Sequence, residues 1–126
     1  MIDHVSIPVR DLGASARFYD PVLGALGLRR MVERPATIGY GRKYPEFWLN
    51  ARPELPVLSG DWGAHVCLRA TSADAVREFH RQALASGGTC DGPPGDRQAA
   101  MTAYFAAFVR DPDGNRVEAA FFPKPA

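Results

Sequence analysis

The chain has 126 residues, 46% of them hydrophobic and 23% charged, with a formal net charge of +1 and a sequence pI near 7.8. It is long enough to bury one core without disulfides and too rich in apolar residues for wholesale disorder. Its balanced charge points to neither nucleic acid nor an acidic membrane surface as partner. The start, Met1-Ile2-Asp3-His4, lacks the basic and apolar regions of a signal peptide. The longest uncharged stretch, Ala99 to Val109, is too short to span a bilayer. Two cysteines, Cys67 and Cys90, make no disulfide framework, so the expected compartment is the reducing cytoplasm.

From Asp3 to Val9 the aliphatics Val5, Ile7 and Val9 alternate with His4, Ser6 and Pro8, the period of a strand with one apolar face. Asp11 then caps a helix with Leu12, Ala16, Tyr19 and Leu23 at helical spacing, and Pro21 predicts a break or a fresh start with Asp20 as cap. Short strands are expected around Met31 to Glu33, Thr37 to Tyr40 and Phe47 to Leu49. Arg52 to Trp62, broken by prolines and a glycine, is a linker. Beyond it Val66 and Leu68 alternate with His65, Cys67 and Arg69, again a strand. Thr71-Ser72-Ala73-Asp74 has a capping-box pattern and opens a second helix, with Val76, Phe79 and Ala83, that stops at Gly87-Gly88. Strands around Thr89-Cys90, Ala103 to Val109 and Arg116 to Phe121 follow. The last two are joined by the tight turn Asp111-Pro112-Asp113-Gly114, where glycine supplies a positive φ.

The two halves repeat. Asp3-His4-Val5-Ser6-Ile7 matches Ala64-His65-Val66-Cys67-Leu68 at an offset of 61 residues, the distance from His4 to His65. The same offset pairs Phe18 with Phe79, Leu23 with Leu84 and Gly27 with Gly88. Duplication of one supersecondary unit explains that register. The expected fold class is α+β: two βαβββ modules in one chain form a curved mixed sheet, a cup, with the helices on the convex face. One domain would cover residues 1–126, with module 1 at about 1–51, the linker at about 52–62 and module 2 at about 63–126.

Alternation nominates the side chains on the concave face. The opening strands contribute His4, Ser6, His65, Cys67 and Arg69; the last strand contributes Arg116, Glu118 and Ala120, because Val117, Ala119 and Phe121 belong to the core. Trp48 faces the cup between Phe47 and Leu49, and Tyr104, Ala106 and Phe108 face it between core residues. Two imidazoles and one carboxylate suit divalent iron, manganese, nickel or zinc, and would leave positions open for a substrate with adjacent oxygens. The bland alternative has the histidines in ordinary strand hydrogen bonds and Glu118 solvated. Cys67 is a cavity-wall residue in the simpler reading and a soft ligand or thiol in the sharper one. Tyr104 and Trp48 either stack a ligand or fill the cup. Arg69 and Arg97 are candidates to hold an anionic substrate, although exposed arginines are common. His80, matching Tyr19, is a packing or surface residue.

Ile2-Asp3-His4-Val5, Phe18-Tyr19 before Leu23-Gly24, Ala64-His65-Val66, and Asp111-Pro112-Asp113-Gly114-Asn115-Arg116-Val117-Glu118 together resemble the vicinal-oxygen-chelate superfamily. That superfamily includes glyoxalase I, extradiol dioxygenases, fosfomycin-resistance thiol transferases and bleomycin-resistance proteins. The resemblance covers nearly the whole chain and implies that His4, His65 and Glu118 occupy metal-ligand positions in the first, fifth and eighth strands. It also implies a homodimer. The glyoxalase I pattern adds a glutamate in the fourth strand, where this chain has Trp48; Glu46 shares its parity one residue pair away. The extradiol pattern adds a histidine and a tyrosine, where this chain has no histidine in Ala99 to Met101 and has Phe108 at the tyrosine position. Fosfomycin thiol transferases resemble it in their three ligands, in a fourth-strand tryptophan and in a hydroxyl residue matching Ser6, but their lysine and cation loop are not recognisable in Asp91 to Thr102.

The expected function is therefore metal-dependent Lewis-acid chemistry on a small oxygenated molecule, lyase-, isomerase- or transferase-like. Glu118 or a bound water would move a proton, and Ser6, Trp48, Cys67, Arg69, Tyr104 and Phe108 would line the substrate site. Glyoxalase I and extradiol ring cleavage are disfavoured. The alternative is a metal-free binding protein, of sequestration or resistance type, that uses the same cup.

Overall fold

The computed structural model describes residues 1–123. Short apolar-alternating segments can bury one face only by pairing laterally, and they do so in two sets of four. In the first, β1 (Val5–Val9) pairs in parallel with β4 (Pro45–Ala51). Beyond β4 the antiparallel strands β3 (Thr37–Gly41) and β2 (Arg29–Glu33) give the order β1-β4-β3-β2. In the second, β5 (Val66–Arg69) pairs in parallel with β8 (Arg116–Phe121), followed by β7 (Ala103–Arg110) and β6 (Thr89–Gln98). Helix α1 (Leu12–Gly24) covers the first sheet and α2 (Ala73–Ala85) the second. The fold is α+β, built of two βαβββ modules. The offset of the sequence repeat carries β1 onto the start of β5 and α1 onto α2 end to end.

The helices pack against each other as well as on their sheets. One core cluster therefore takes Val9, Phe18, Tyr19, Phe47 and Leu49 from the first module and Val76, Phe79, Val109 and Val117 from the second. Burying each large apolar side chain contributes about 1.5–3 kcal/mol. A polar hub also ties the modules. Asp111, in the turn between β7 and β8, accepts the Tyr19 hydroxyl at 2.7 Å and the backbone N–H groups of Asp113 and Asn115 at 2.9 and 2.8 Å. Asp113 pairs with Arg10 at 2.8 Å, and the Asn115 amide donates to the Pro8 carbonyl at 2.9 Å. Gly114 has φ 92°, as the turn requires.

Several local expectations change. Pro21 does not interrupt α1: it lies in the last turn, where its missing N–H forfeits one intrahelical bond and the packing of the two residues that follow, Val22 and Leu23, holds the helix together. Asp20 is no cap and instead accepts the Tyr40 hydroxyl at 2.7 Å and Arg30 at 2.6 Å. The second cap is Ser72, bonded to the Ala75 N–H at 3.0 Å, while Asp74 pairs with Arg77. The strand expected at Thr89-Cys90 runs for 10 residues through Gly92-Pro93-Pro94-Gly95. It lies at the sheet edge, where missing N–H groups are tolerated, and its ladder slips around those residues.

The repeat is imperfect in its helices. Leu23 is fully buried while Leu84 is 46% exposed, because α2 buries only the narrow stripe of Val76, Phe79 and Ala83. The positive φ of Gly27 recurs at Gly87 rather than Gly88. Gly88 is needed for space instead: a Cβ there would lie 2.5 Å from the Phe18 ring.

Candidate functional site

His65 directly precedes β5, and Glu118 stands opposite Cys67 in the parallel β5–β8 ladder. This register brings His65 Nε2 to 3.0 Å from Glu118 Oε1. Glu118 is only 4% exposed, so the imidazole supplies a hydrogen-bond partner that solvent largely cannot. Phe108, the β7 partner of Glu118, sets its ring 6.1 Å from that of His65. Desolvation, then the Glu118 carboxylate, push the Cys67 thiol up to about 12. Because the residue as a whole remains exposed, the Glu118 charge is the firmer of the two causes. Either way, Cys67 is a protonated thiol at neutral pH and no ready nucleophile. Tyr104 stacks on Phe122 at 5.0 Å, and Arg69 lies over Phe122 at 4.7 Å. Desolvation and the Glu118 charge also raise the Tyr104 hydroxyl pKa.

His4 directly precedes β1. Its Nδ1 lies 2.8 Å from Asp3 Oδ1, and its side chain is 55% exposed. With Glu46, His65 and Cys67 it lines a groove of about 320 Å³ between the starts of β1 and β5. Ser6 and Trp48, paired across β1–β4, share a second hollow with His4 and Arg34. The Arg34 guanidinium lies 5.7 Å from the centre of the Trp48 ring. Gly39 leaves room for that indole, since a Cβ would come within 2.9 Å of it.

The structure thus gathers His65, Glu118, Cys67 and Phe108 on one sheet and His4, Ser6 and Trp48 on the other, with His4 and His65 bordering one groove. Among the described residues no three His, Cys, Asp or Glu groups converge as a set able to hold a metal ion. The donor chemistry suits a divalent ion, and two of the three expected donors touch each other. The third borders their groove with its ring turned to Asp3. His80 sits on α2 away from this site; its Nε2 is buried without a partner, and desolvation lowers its pKa. Sequence reasoning did not single out Arg34 or Phe122. Arg34 follows a strand end and Phe122 lies just past one, so neither falls under strand alternation.

The sequence profile of the glyoxalase/bleomycin resistance protein/dioxygenase superfamily matches residues 1–119. The chain belongs to that superfamily. The superfamily match takes in His4, His65 and Glu118. A lactoylglutathione lyase of Salmonella typhimurium (strain LT2) is 33% identical over 124 residues, covering 91% of this chain and 87% of that protein. The crystal structure of a glyoxalase/bleomycin resistance protein from Albidiferax ferrireducens T118 superposes with a TM-score of 0.86 at 34% identity, over 97% of this chain and 99% of that one. A fosfomycin resistance protein, FosX, from Listeria monocytogenes shares the superfamily fold, with a TM-score of 0.68 at 13% identity over 97% of this chain and 93% of that one. Among the described residues no helix is long and apolar enough to cross a membrane.

Proposed function

We propose that the protein is a metal-dependent enzyme acting on a small oxygenated molecule, with His4, His65 and Glu118 as donors to one divalent ion of iron, manganese, nickel or zinc. The observation that carries this reading is the buried Glu118 carboxylate held at 3.0 Å by His65, on a groove that His4 also borders. Such an ion supplies Lewis acidity toward a carbonyl or alkoxide oxygen. Glu118 is the group of this chain that can hold or move a proton there, since Cys67 stays protonated. Ser6, Trp48, Cys67, Arg69, Tyr104 and Phe108 are the substrate-lining residues of this reading. We take the functional unit to be a homodimer, as the resemblance implies, in the reducing cytoplasm that suits the free Cys67 and Cys90; sedimentation velocity should then give twice the 13.7 kDa chain mass.

A second reading, metal-free binding of an aromatic or anionic molecule, draws support from Arg34 over Trp48 and from Tyr104 stacked on Phe122. Metal analysis of purified protein equilibrated with each ion separates the two. Wild type and His80→Ala should retain roughly one ion per chain, and the His4→Ala, His65→Ala double variant none. Equal retention by wild type and the double variant refutes the metal reading and leaves the second.

A further inference from the structure

We propose that the molecule handled at the His65–Glu118 face carries a carboxylate, received by Arg97, with Arg69 a second cation across the same face; this rests on the reading above that this face is the functional site. Arg97 stands opposite Tyr104 in the β6–β7 ladder. Its side chain folds back along its own strand, where Nη2 donates to the Pro93 carbonyl at 2.6 Å and Nη1 to the Asp96 carbonyl at 3.2 Å. The guanidinium lies 5.6 Å from the centre of the Phe108 ring, the ring that also faces His65. Gly92 and Gly95 make this posture possible. A Cβ at Gly92 would lie 3.0 Å from the Phe108 ring and 3.4 Å from Arg97 Nη2, and one at Gly95 would lie 3.1 Å from Nη1.

Carbonyl oxygens orient a guanidinium without neutralising it. The neighbouring arginines on this sheet behave differently: Arg110 and Arg116 both pair with Asp91. Among the described residues no carboxylate pairs with Arg97 or Arg69. Arg97 therefore offers a full positive charge and unspent N–H donors, with its side-chain freedom already given up. A planar carboxylate matches that fork best. Arg69, two residues beyond Cys67 on β5, brings a second cation to the same face over Phe122. Between the two cations the paired alanines Ala106 and Ala120 are fully buried and stand outside the core cluster.

Titration of metal-free, full-length protein with benzoate, followed by amide NMR, tests the proposal. Benzoate should give saturable shifts at Gly92, Gly95, Arg97 and Phe108, and benzamide, of the same shape without the charge, should bind at least about ten-fold more weakly. Arg97→Gln should weaken benzoate about ten-fold or more, while Arg77→Gln, on α2 and paired with Asp74, should not. Because the titration uses metal-free protein and metal retention is read separately on the His4→Ala, His65→Ala variant, loss of the metal reading and loss of this one are told apart. The idea is overturned by benzamide binding as tightly as benzoate, by Arg97→Gln binding like wild type, or by no saturable benzoate shift at all.

Discussion

Trp48 occupies in the first sheet the place that Glu118 occupies in the second. Trp48 pairs with Ser6 across the parallel β1–β4 ladder, and Glu118 pairs with Cys67, the repeat counterpart of Ser6, across β5–β8. The indole cannot accept a proton or a metal bond through its N–H. Glyoxalase I resembles this fold but places a carboxylate where Trp48 stands, so despite 33% identity to a lactoylglutathione lyase, this chain should turn over methylglyoxal with glutathione only at background. The extradiol activity should be equally weak, because Phe108 carries no hydroxyl to take part in proton transfer. General acid–base groups typically contribute about 10²–10⁴-fold each. A kcat/KM near about 10⁴ M⁻¹s⁻¹ in either assay would show the expectation to be wrong.

The β7–β8 turn should tolerate no side chain at Gly114. Its φ is positive, and a Cβ would sit 1.8 Å from the Leu58 carbonyl oxygen in the linker. Gly114→Val should cost about 3 kcal/mol or more by denaturant unfolding. Gly60, with positive φ but nothing within 4 Å, serves as the control, and Gly60→Ala should cost only about 1–2 kcal/mol. Similar losses at the two sites would mean that backbone conformation, and not the linker contact, sets the effect.

Tyr19→Phe should show a pH-dependent stability loss. Burial raises the pKa of Asp111 above its ordinary value, and the Tyr19 hydroxyl is among the bonds that hold it down. A carboxyl raised in the folded state binds its proton more readily folded than unfolded. Its contribution therefore favours folding as pH falls through the folded pKa, and levels off below the unfolded one. Removing the hydroxyl raises the folded pKa further. The variant should lose about 1–3 kcal/mol at neutral pH and less under acid, where the carboxyl is protonated. A loss that stays constant or grows from neutral pH down to about pH 4 contradicts the coupling to Asp111.

Gly39→Ala should disturb Trp48 without touching the other sheet. The added methyl would lie 2.9 Å from the indole and 3.0 Å from Pro45 Cβ. We expect a shifted tryptophan emission and a stability loss of about 1–3 kcal/mol, with His65 and Glu118 unaffected. An unchanged emission spectrum would place the indole elsewhere.

Cys67 should alkylate slowly at pH 8, because desolvation and the adjacent Glu118 keep it a thiol. Glu118→Gln removes the charge and should speed the reaction, read by mass spectrometry of the Cys67 peptide. No acceleration would leave desolvation as the sole cause.

The parts of the fold with regular chemistry were legible in the sequence. Period-two alternation located β1, β5 and β8 and put Glu118 on the face opposite Val117 and Ala119, where it meets His65. The extent of β6 was hidden because glycine and proline signal loops, and only its edge position makes them acceptable. The continuity of α1 through Pro21 and the exposure of Leu84 depend on how the helices pack, which no local pattern records. At the site, alternation assigned faces but not partners. It could not show that the ring of His4 turns to Asp3, nor that Arg97 folds back over Phe108 between two glycines.

The two prolines of β6 have an effect on the protein as a solute. Sheets of this kind end in strands whose free backbone groups can recruit another chain, and a run of such recruitments is an aggregate. Here the outer border of the second sheet presents Pro93 and Pro94, which have no N–H to offer, beside a ladder already thrown out of step. The outer border of the first sheet is β2, with Arg29, Arg30 and Glu33 in five residues. The inner borders are β1, interrupted by Pro8, and the four-residue β5. None of the four gives a long, regular template, so strand-by-strand polymerisation is discouraged on every side.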